Sequence, residues 1–213
     1  MDGRFRDRAD AGRQLADCLR VFATENPVVL GLARGGVVVA HKVAEILGWD
    51  WDVLVARKVG APIHPEFGIG AVAPGGIKVH DPESLKMVGL SPADFDRLAV
   101  PEMAEVDRRL KVYHRGAEAV KLHDRTVIVV DDGLATGVTA LAALAYVKQQ
   151  NPRRVILAVP VCARESAAWL GKVADQVICL LQPPDFRAVG QWYDVFDQTS
   201  DEEILRLIDG VKK

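Results

Sequence analysis

"VIVVDDGLATGVTA", residues 127–140, joins an apolar strand to two adjacent aspartates and then to a loop of small and hydroxyl-bearing residues. Strands that are apolar throughout and alternate with helices indicate a parallel sheet covered on both faces. In such sheets ligands bind beyond the carboxyl ends of the strands, where the N-terminus of the next helix attracts a phosphate. This stretch therefore predicts a site for a phosphorylated molecule.

The two aspartates narrow the choice of ligand. Asp131 and Asp132 would repel a phosphate unless they accept hydrogen bonds from neutral hydroxyls, and a ribose 5-phosphate offers both kinds of group. The loop lacks the GxxxxGK[ST] pattern of nucleoside triphosphate sites, which favours a monophosphate. The alternative interpretation is that the aspartates only cap the helix that follows.

The rest of the chain predicts a doubly wound α/β fold with a parallel sheet. Residues 59–74 are rich in Gly and Pro and predict a long loop that runs into a short hairpin at residues 74–76. Ser200 and Glu203 form a capping-box pattern at the start of the last helix. Strands are predicted at residues 28–33, 51–58, 126–132, 153–162 and 176–182, and helices at residues 7–24, 37–48, 91–115, 138–150 and 164–173 and from residue 200.

Composition limits the class of protein. The 213 residues are 49% hydrophobic and 26% charged, which suits a single globular domain over residues 1–213. A net charge of −2 argues against a protein that works by neutralising nucleic-acid phosphates. No apolar run is long enough to span a bilayer, so no membrane partner is expected. Cys18, Cys162 and Cys179 are isolated in apolar sequence, which favours reduced thiols and a cytoplasmic protein.

The motif "VVDDGLATGVT" resembles the signature of the type I phosphoribosyltransferases, and the chain is most similar to their stand-alone bacterial members. The resemblance implies that Asp131 and Asp132 bind the ribose hydroxyls of 5-phosphoribosyl 1-pyrophosphate (PRPP). It also implies that the loop wraps the 5-phosphate. Ala135 stands where some branches of the family carry an acid, so this position offers no general base. The implied phosphate-binding residues are Ala135, Thr136, Gly137, Val138 and Thr139.

A second glycine-containing segment, "GLARGG" at residues 31–36, is similar to the family's pyrophosphate loop, which often contains a non-proline cis peptide. The two glycines permit an unusual backbone, and Arg34 adds a permanent cation. The resemblance assigns pyrophosphate binding to Ala33, Arg34, Gly35 and Gly36. The alternative is an ordinary turn from strand to helix with a surface arginine.

The resemblance also places an Arg-Lys pair at the start of a flexible catalytic loop. Arg57 and Lys58 are expected to neutralise the leaving pyrophosphate, while the loop keeps water from a cation-like transition state. Glu66 is the favoured candidate for handling a nucleobase proton, ahead of His64 on the same loop. The alternative is that both are exposed loop residues.

The tail "PDFRAVGQWYDVF" resembles the base-binding hood of hypoxanthine-guanine phosphoribosyltransferases. Val189 and Asp194 fit that spacing, and the resemblance makes Asp194 a candidate Mg²⁺ ligand, acting through water. Phe186 stands one residue before the usual stacking aromatic, so Trp192 and Tyr193 are alternative stacking rings. A packed C-terminal cover remains the other interpretation. The expected core covers about residues 26–182, and the hood combines the N-terminal segment with about residues 183–213.

The resemblance as a whole implies Mg²⁺-dependent transfer of the phosphoribosyl group from PRPP to a nitrogen nucleophile, with release of pyrophosphate, and the expected nucleophile is a nucleobase. A homodimer is expected on the same basis. Two alternatives stay open on this scaffold: a PRPP- or nucleotide-sensing regulator without catalysis, and a hydrolase of a nucleotide or of PRPP.

Overall fold

A five-stranded parallel sheet forms the centre of the computed structural model, which describes residues 3–210. Its strands lie in the order β2-β1-β6-β7-β8. The predicted α/β class is confirmed, and the first and last residues of the predicted single domain, 1–2 and 211–213, lie outside the described residues. The strands are β1 (Pro27–Leu32), β2 (Asp50–Leu54), β6 (Thr126–Val130), β7 (Arg154–Val161) and β8 (Gln176–Leu181).

Helices cover both faces of this sheet, as the uniformly apolar strands require. Along β1, Val28 and Leu30 pack towards α5, whereas Val29 between them packs towards α1 and α2. The alternation follows from the two-residue period of a strand. These helices are α1 (Arg8–Leu19), α2 (Gly35–Leu47) and α5 (Val138–Gln149), and α6 (Arg164–Leu170) connects β7 to β8.

A second, antiparallel sheet replaces the long loop predicted at residues 59–74. Its strands are β3 (Arg57–Gly60), β4 (Gly68–Ala73) and β5 (Ile77–His80), in that order. The glycines that suggested a loop serve close packing instead: a Cβ on Gly70 would lie 2.4 Å from the ring of Phe95 and 2.4 Å from the carbonyl oxygen of Val79. Composition alone cannot separate these two uses of glycine.

The predicted strand at residues 51–58 is also divided in the structure. The part in the central sheet, β2, ends at Leu54, and Arg57 begins β3 of the small sheet. Arg57 and Lys58 are therefore strand residues rather than the first residues of a loop. The connection that remains between β3 and β4 runs over residues 61–67.

The long helix α4 (Pro92–His114) lies where a helix was predicted, and Ser91 and Asp94 form a capping box at its start. The last helix, α7 (Asp201–Gly210), begins as predicted, with the backbone N–H of Glu203 donating to the Ser200 hydroxyl at 3.2 Å. The short helix α3 (Pro82–Met87) was not predicted. Within residues 3–210, no helix combines the length and the apolar composition that crossing a membrane would require.

Candidate functional site

Two loops that are far apart in sequence meet at the carboxyl ends of β1 and β6. A Cβ on Gly36, in the first turn of α2, would lie 2.6 Å from the carbonyl oxygen of Val130 and 2.7 Å from the Cα of Asp131. A Cβ on Gly35 would lie 1.9 Å from a carboxylate oxygen of Asp132. The preceding peptide bond, between Ala33 and Arg34, is cis. The segment expected to hold pyrophosphate thus lies directly against the aspartate pair.

Burial makes ionisation of the two aspartates unfavourable. Burial raises the pKa of Asp131 well above its ordinary value, and the neighbouring carboxylate of Asp132 raises it further. The carboxylate of Asp131 accepts a hydrogen bond from the backbone N–H of Asp132 at 2.9 Å. Burial also raises the pKa of Asp132, although the guanidinium of Arg8 acts against this rise. Carboxylates with pKa values perturbed in this way are common at functional sites.

Arg8, at the start of α1, is a site residue that the sequence did not reveal. Its Nε donates to a carboxylate oxygen of Asp132 at 2.8 Å, and the two side chains are only 12% and 15% exposed. Its Nη1 donates to the carbonyl oxygen of Asp197 at 2.7 Å, and its guanidinium lies 4.0 Å from the centroid of the Phe196 ring. Nothing in the local pattern of α1 distinguishes this arginine from the exposed arginines nearby.

The predicted phosphate loop leads directly into α5. Gly137 precedes the helix with φ +75°, a conformation that strongly favours glycine, and its α-carbon faces Leu170 and Trp169 of α6. The hydroxyl of Ser166, also on α6, donates to the carbonyl oxygen of Ala135. Helix α6 therefore supports the loop from outside, a role that the sequence did not suggest.

Most of the predicted hood residues pack together next to the aspartates. Phe186, Val189 and Trp192 belong to one apolar cluster with buried Tyr193. Val189 packs against Gly133, which lies between the aspartate pair and the phosphate loop: a Cβ on Gly133 would lie 2.6 Å from the Val189 side chain.

Tyr193 is buried beside the site, so its ring offers no face to a ligand. The residue is 3% exposed, and its hydroxyl donates to the carbonyl oxygen of Asp132 at 2.6 Å. The N-terminal segment pairs with the same region, because the N–H of Phe5 donates to the carbonyl oxygen of Trp192 at 2.8 Å. The N-terminal segment and residues 186–193 thus contribute to one cover, whereas the apolar residues of α7 pack in a different cluster, with residues of α4.

The Arg-Lys pair is divided between the two faces of the small sheet. Successive residues of a strand point to opposite faces. Arg57 forms an ion pair with Glu102 of α4, whereas Lys58 is paired with Glu66 at 3.3 Å. The Glu66 side chain is fully exposed, and Lys58 also donates to its carbonyl oxygen at 2.8 Å. Both cations are therefore paired with carboxylates, and the sequence analysis did not identify Glu102 as a partner.

The candidate metal ligand Asp194 lies at the surface. Its side chain is 59% exposed, and its carboxylate is 4.0 Å from a guanidinium nitrogen of Arg4. Across residues 3–210, no three His, Cys, Asp or Glu side chains cluster in a way that could hold a metal ion.

Comparisons with known proteins agree with this geometry. The family model described as "Phosphoribosyl transferase domain" matches residues 8–193. A Mycobacterium tuberculosis protein named "Putative phosphoribosyl transferase Rv0571c" is 42% identical over 205 residues. That alignment covers 96% of this chain and 46% of the relative, so the chain spans about half the length of the curated relatives it matches.

Solved structures show the same similarity. The crystal structure of TT1426 from Thermus thermophilus is 43% identical to this chain, with a TM-score of 0.81, and the match covers 96% of this chain and 97% of that one. A protein from Neisseria gonorrhoeae, solved with bound ppGpp, is 14% identical with a TM-score of 0.51 and covers 98% of each chain, a likeness of fold alone.

The family model covers most of the chain. Its matched segment begins at Arg8, which donates to the carboxylate of Asp132, and ends at Tyr193, which donates to the carbonyl oxygen of Asp132. The chain belongs to the phosphoribosyl transferase domain family.

Proposed function

We propose that the chain transfers the 5-phosphoribosyl group of PRPP to a nitrogen nucleophile, with release of pyrophosphate. The observation that carries the proposal is the contact between the α2 N-terminus and the aspartate pair. A Cβ on Gly35 or Gly36 would collide with Asp132 or with the backbone at Asp131. A diphosphate bound at one loop and a ribose bound at the other would thus belong to one molecule.

The charges of the site suit that donor. In the proposed complex Asp131 and Asp132 accept hydrogen bonds from the ribose hydroxyls, and the N-terminus of α5 binds the 5-phosphate. Arg34 lies where the diphosphate would sit. Bond breakage builds negative charge on the diphosphate, and a cation fixed beforehand stabilises that charge. The acceptor is proposed to lie under the hood, next to Val189.

Mg²⁺ is part of this proposal. It prefers oxygen ligands and is often bound by one or two carboxylates together with substrate phosphates. The carboxylates of Asp131 and Asp132 supply suitable oxygens, while no cluster of three ligands occurs in the described part of the chain. The donor set therefore fits an ion that is bound together with the diphosphate, and the ion would neutralise charge on the leaving group. A homodimer remains a prediction.

The decisive assay is pyrophosphate release. Purified protein with Mg²⁺ and PRPP is incubated with a panel of nucleobases and simple amines, and pyrophosphate is measured with and without each acceptor. We expect release that depends on one class of acceptor. Release without any acceptor would identify a hydrolase instead, and tight PRPP binding without release would contradict catalysis.

A sensor of PRPP or of a nucleotide is the second candidate, and one observation favours it. Arg57 and Lys58 are both paired with carboxylates, so neither is a free cation for a transition state. A sensor would keep the affinity of the aspartate pair and the phosphate loop, yet show no turnover in the same assay.

Lys58→Ala separates the two candidates further. If the chain is a transferase, Lys58 can leave its fully exposed partner Glu66 and stabilise charge on the leaving diphosphate, so we expect about a ten-fold fall in kcat with little change in PRPP affinity. In a sensor, the substitution has no turnover to change. Lys78→Ala is the matched control: it lies in the same small sheet, is also 36% exposed, and is paired with Asp96. Weaker PRPP binding with unchanged kcat would make Lys58 a binding residue only.

A further inference from the structure

A cavity of about 470 Å³ lies between the C-terminal end of α2 and the last helix, α7. Its walls include two indole rings, from Trp49 and Trp51, and the side chain of the exposed Arg206. Two further polar residues of α2, His41 and Glu45, also line it. No residue of the aspartate pair, the phosphate loop or the predicted pyrophosphate loop contributes to this cavity, so it is separate from the candidate catalytic site.

The aromatic rings give the cavity surfaces on which a planar ring can stack. Trp49 and Trp51 are both half-buried, so part of each side chain stays open to a ligand. The imidazole of His41 lies edge-on to Trp51, with ring centroids 5.3 Å apart, and this contact restricts the indole. Burial lowers the pKa of His41, so the imidazole is neutral at pH 7.5 and adds no charge to the aromatic wall. Stacking of a base on such a ring contributes about 1–3 kcal/mol.

Arg206 supplies a cation without an ion-pair partner. Among residues 3–210 no carboxylate oxygen lies within 4.0 Å of its guanidinium nitrogens, although Glu202 is one turn away on the same helix. The carboxylate on the opposite wall, that of Glu45, is already paired with Lys42. The cavity therefore combines aromatic surface with one guanidinium group that is available to an anion.

We propose that this cavity binds a nucleoside 5′-monophosphate, with the base against Trp49 and Trp51 and the phosphate against Arg206. A nucleobase offers the planar π-face that indoles stack on, and a phosphate accepts charge-assisted hydrogen bonds from a guanidinium group. The volume of about 470 Å³ also lies within the range of about 300–1,000 Å³ that is usual for small-molecule sites.

Helix α2 connects this cavity to the candidate catalytic site. Gly35 and Gly36, in its first turn, lie against the aspartate pair, whereas Ala44 and Glu45, near its end, line the cavity. The helix has 13 residues, so about 20 Å separates its ends. A nucleoside monophosphate is also what the proposed transfer would form from a nucleobase, so the cavity would be a second site for the product. The inference goes beyond the proposed function and does not require turnover.

The test is calorimetric titration of the full chain with AMP and UMP, each compared with adenosine, which lacks the phosphate, and ribose 5-phosphate, which lacks the base. Every titration is repeated in an Asp131→Asn background, which weakens binding at the catalytic site. We expect Arg206→Ala and Trp49→Leu each to weaken nucleotide binding about ten-fold or more in that background. Adenosine binding should fall in Trp49→Leu alone. Arg115→Ala is the control, because Arg115 also contacts α7, through Asp209, but does not line the cavity.

Nucleotide binding that is unchanged in Arg206→Ala, or equally reduced in Arg115→Ala, overturns the proposal. So does the loss of all AMP and UMP binding in Asp131→Asn, since the catalytic site would then be their only site. Arg206 is exposed, so Arg206→Ala is expected to keep the melting temperature of the parent protein, and it decides the outcome if Trp49→Leu does not fold. Binding that depends on Arg206 in a protein without turnover would refute the transferase proposal and support this one. Turnover without such binding would refute this one alone.

Discussion

Asp131→Asn is expected to weaken PRPP binding by about 10- to 100-fold, because the substitution removes a charged acceptor of ribose hydroxyl hydrogen bonds. Titration of PRPP into both proteins measures this change. Asp124→Asn is the control: this aspartate is 70% exposed, sits in a turn with φ +57°, and can be replaced by Asn without backbone strain. Equal PRPP affinity in Asp131→Asn and the parent protein would contradict the ribose assignment.

The same variant should unfold at a higher temperature than the parent protein near pH 7.5. Burial and the adjacent carboxylate raise the pKa of Asp131, so the folded state holds this proton more tightly than the unfolded state does. The parent protein therefore loses stability as pH rises from about 3.9, the unfolded value, through the raised folded value. The asparagine side chain does not ionise, so the variant does not lose stability in this way as pH rises.

A pH series of thermal melts tests the sign of this effect. The advantage of Asp131→Asn should be largest above the raised pKa and should vanish at a pH well below about 3.9, where Asp131 is protonated in both states. A lower melting temperature for the variant at neutral pH would show that the carboxylate stabilises the fold. Loss of ligand binding with gain of stability is the pattern expected of a functional site.

Gly36→Ala is expected to have the largest effect on the fold. Its Cβ would lie 2.6 Å from the carbonyl oxygen of Val130 and 2.7 Å from the Cα of Asp131, which are backbone atoms of a central strand and its end. Since neither can move without disturbing the sheet, we expect a cost of about 3 kcal/mol and a melting temperature lower by about 6–12 °C. PRPP binding should be lost as well.

Gly35→Ala provides an informative comparison. Its Cβ would meet the side chains of Asp132 and Arg8, which can shift more readily than a strand backbone. We therefore expect a smaller loss of stability than in Gly36→Ala, with a similar loss of PRPP binding. Gly210→Ala is the control, because nothing lies within 4 Å of its Cβ position. Equal melting temperatures for Gly36→Ala and Gly210→Ala would contradict the close approach of α2 to the aspartates.

The sequence by itself determined the central sheet and the two loops at its edge. Uniformly apolar strands alternating with helices can be buried only in a sheet covered on both faces, and the motif at residues 127–140 places two acids at the end of one strand. The capping-box pattern of Ser200 and Glu203 likewise predicted the start of α7. These features depend on neighbouring residues, so local sequence is sufficient to identify them.

Only the tertiary structure decided which groups meet. Arg8 donates to Asp132 across 124 positions of the chain, and Arg57 is paired with Glu102 across 45 positions. Of the small sheet, the sequence predicted only the hairpin at residues 74–76. The rest was not predicted, because glycines such as Gly70 permit close packing within a strand but are also typical of loops. Contacts of this kind are set by how whole elements pack, and that packing has no signature in the residues next to each partner.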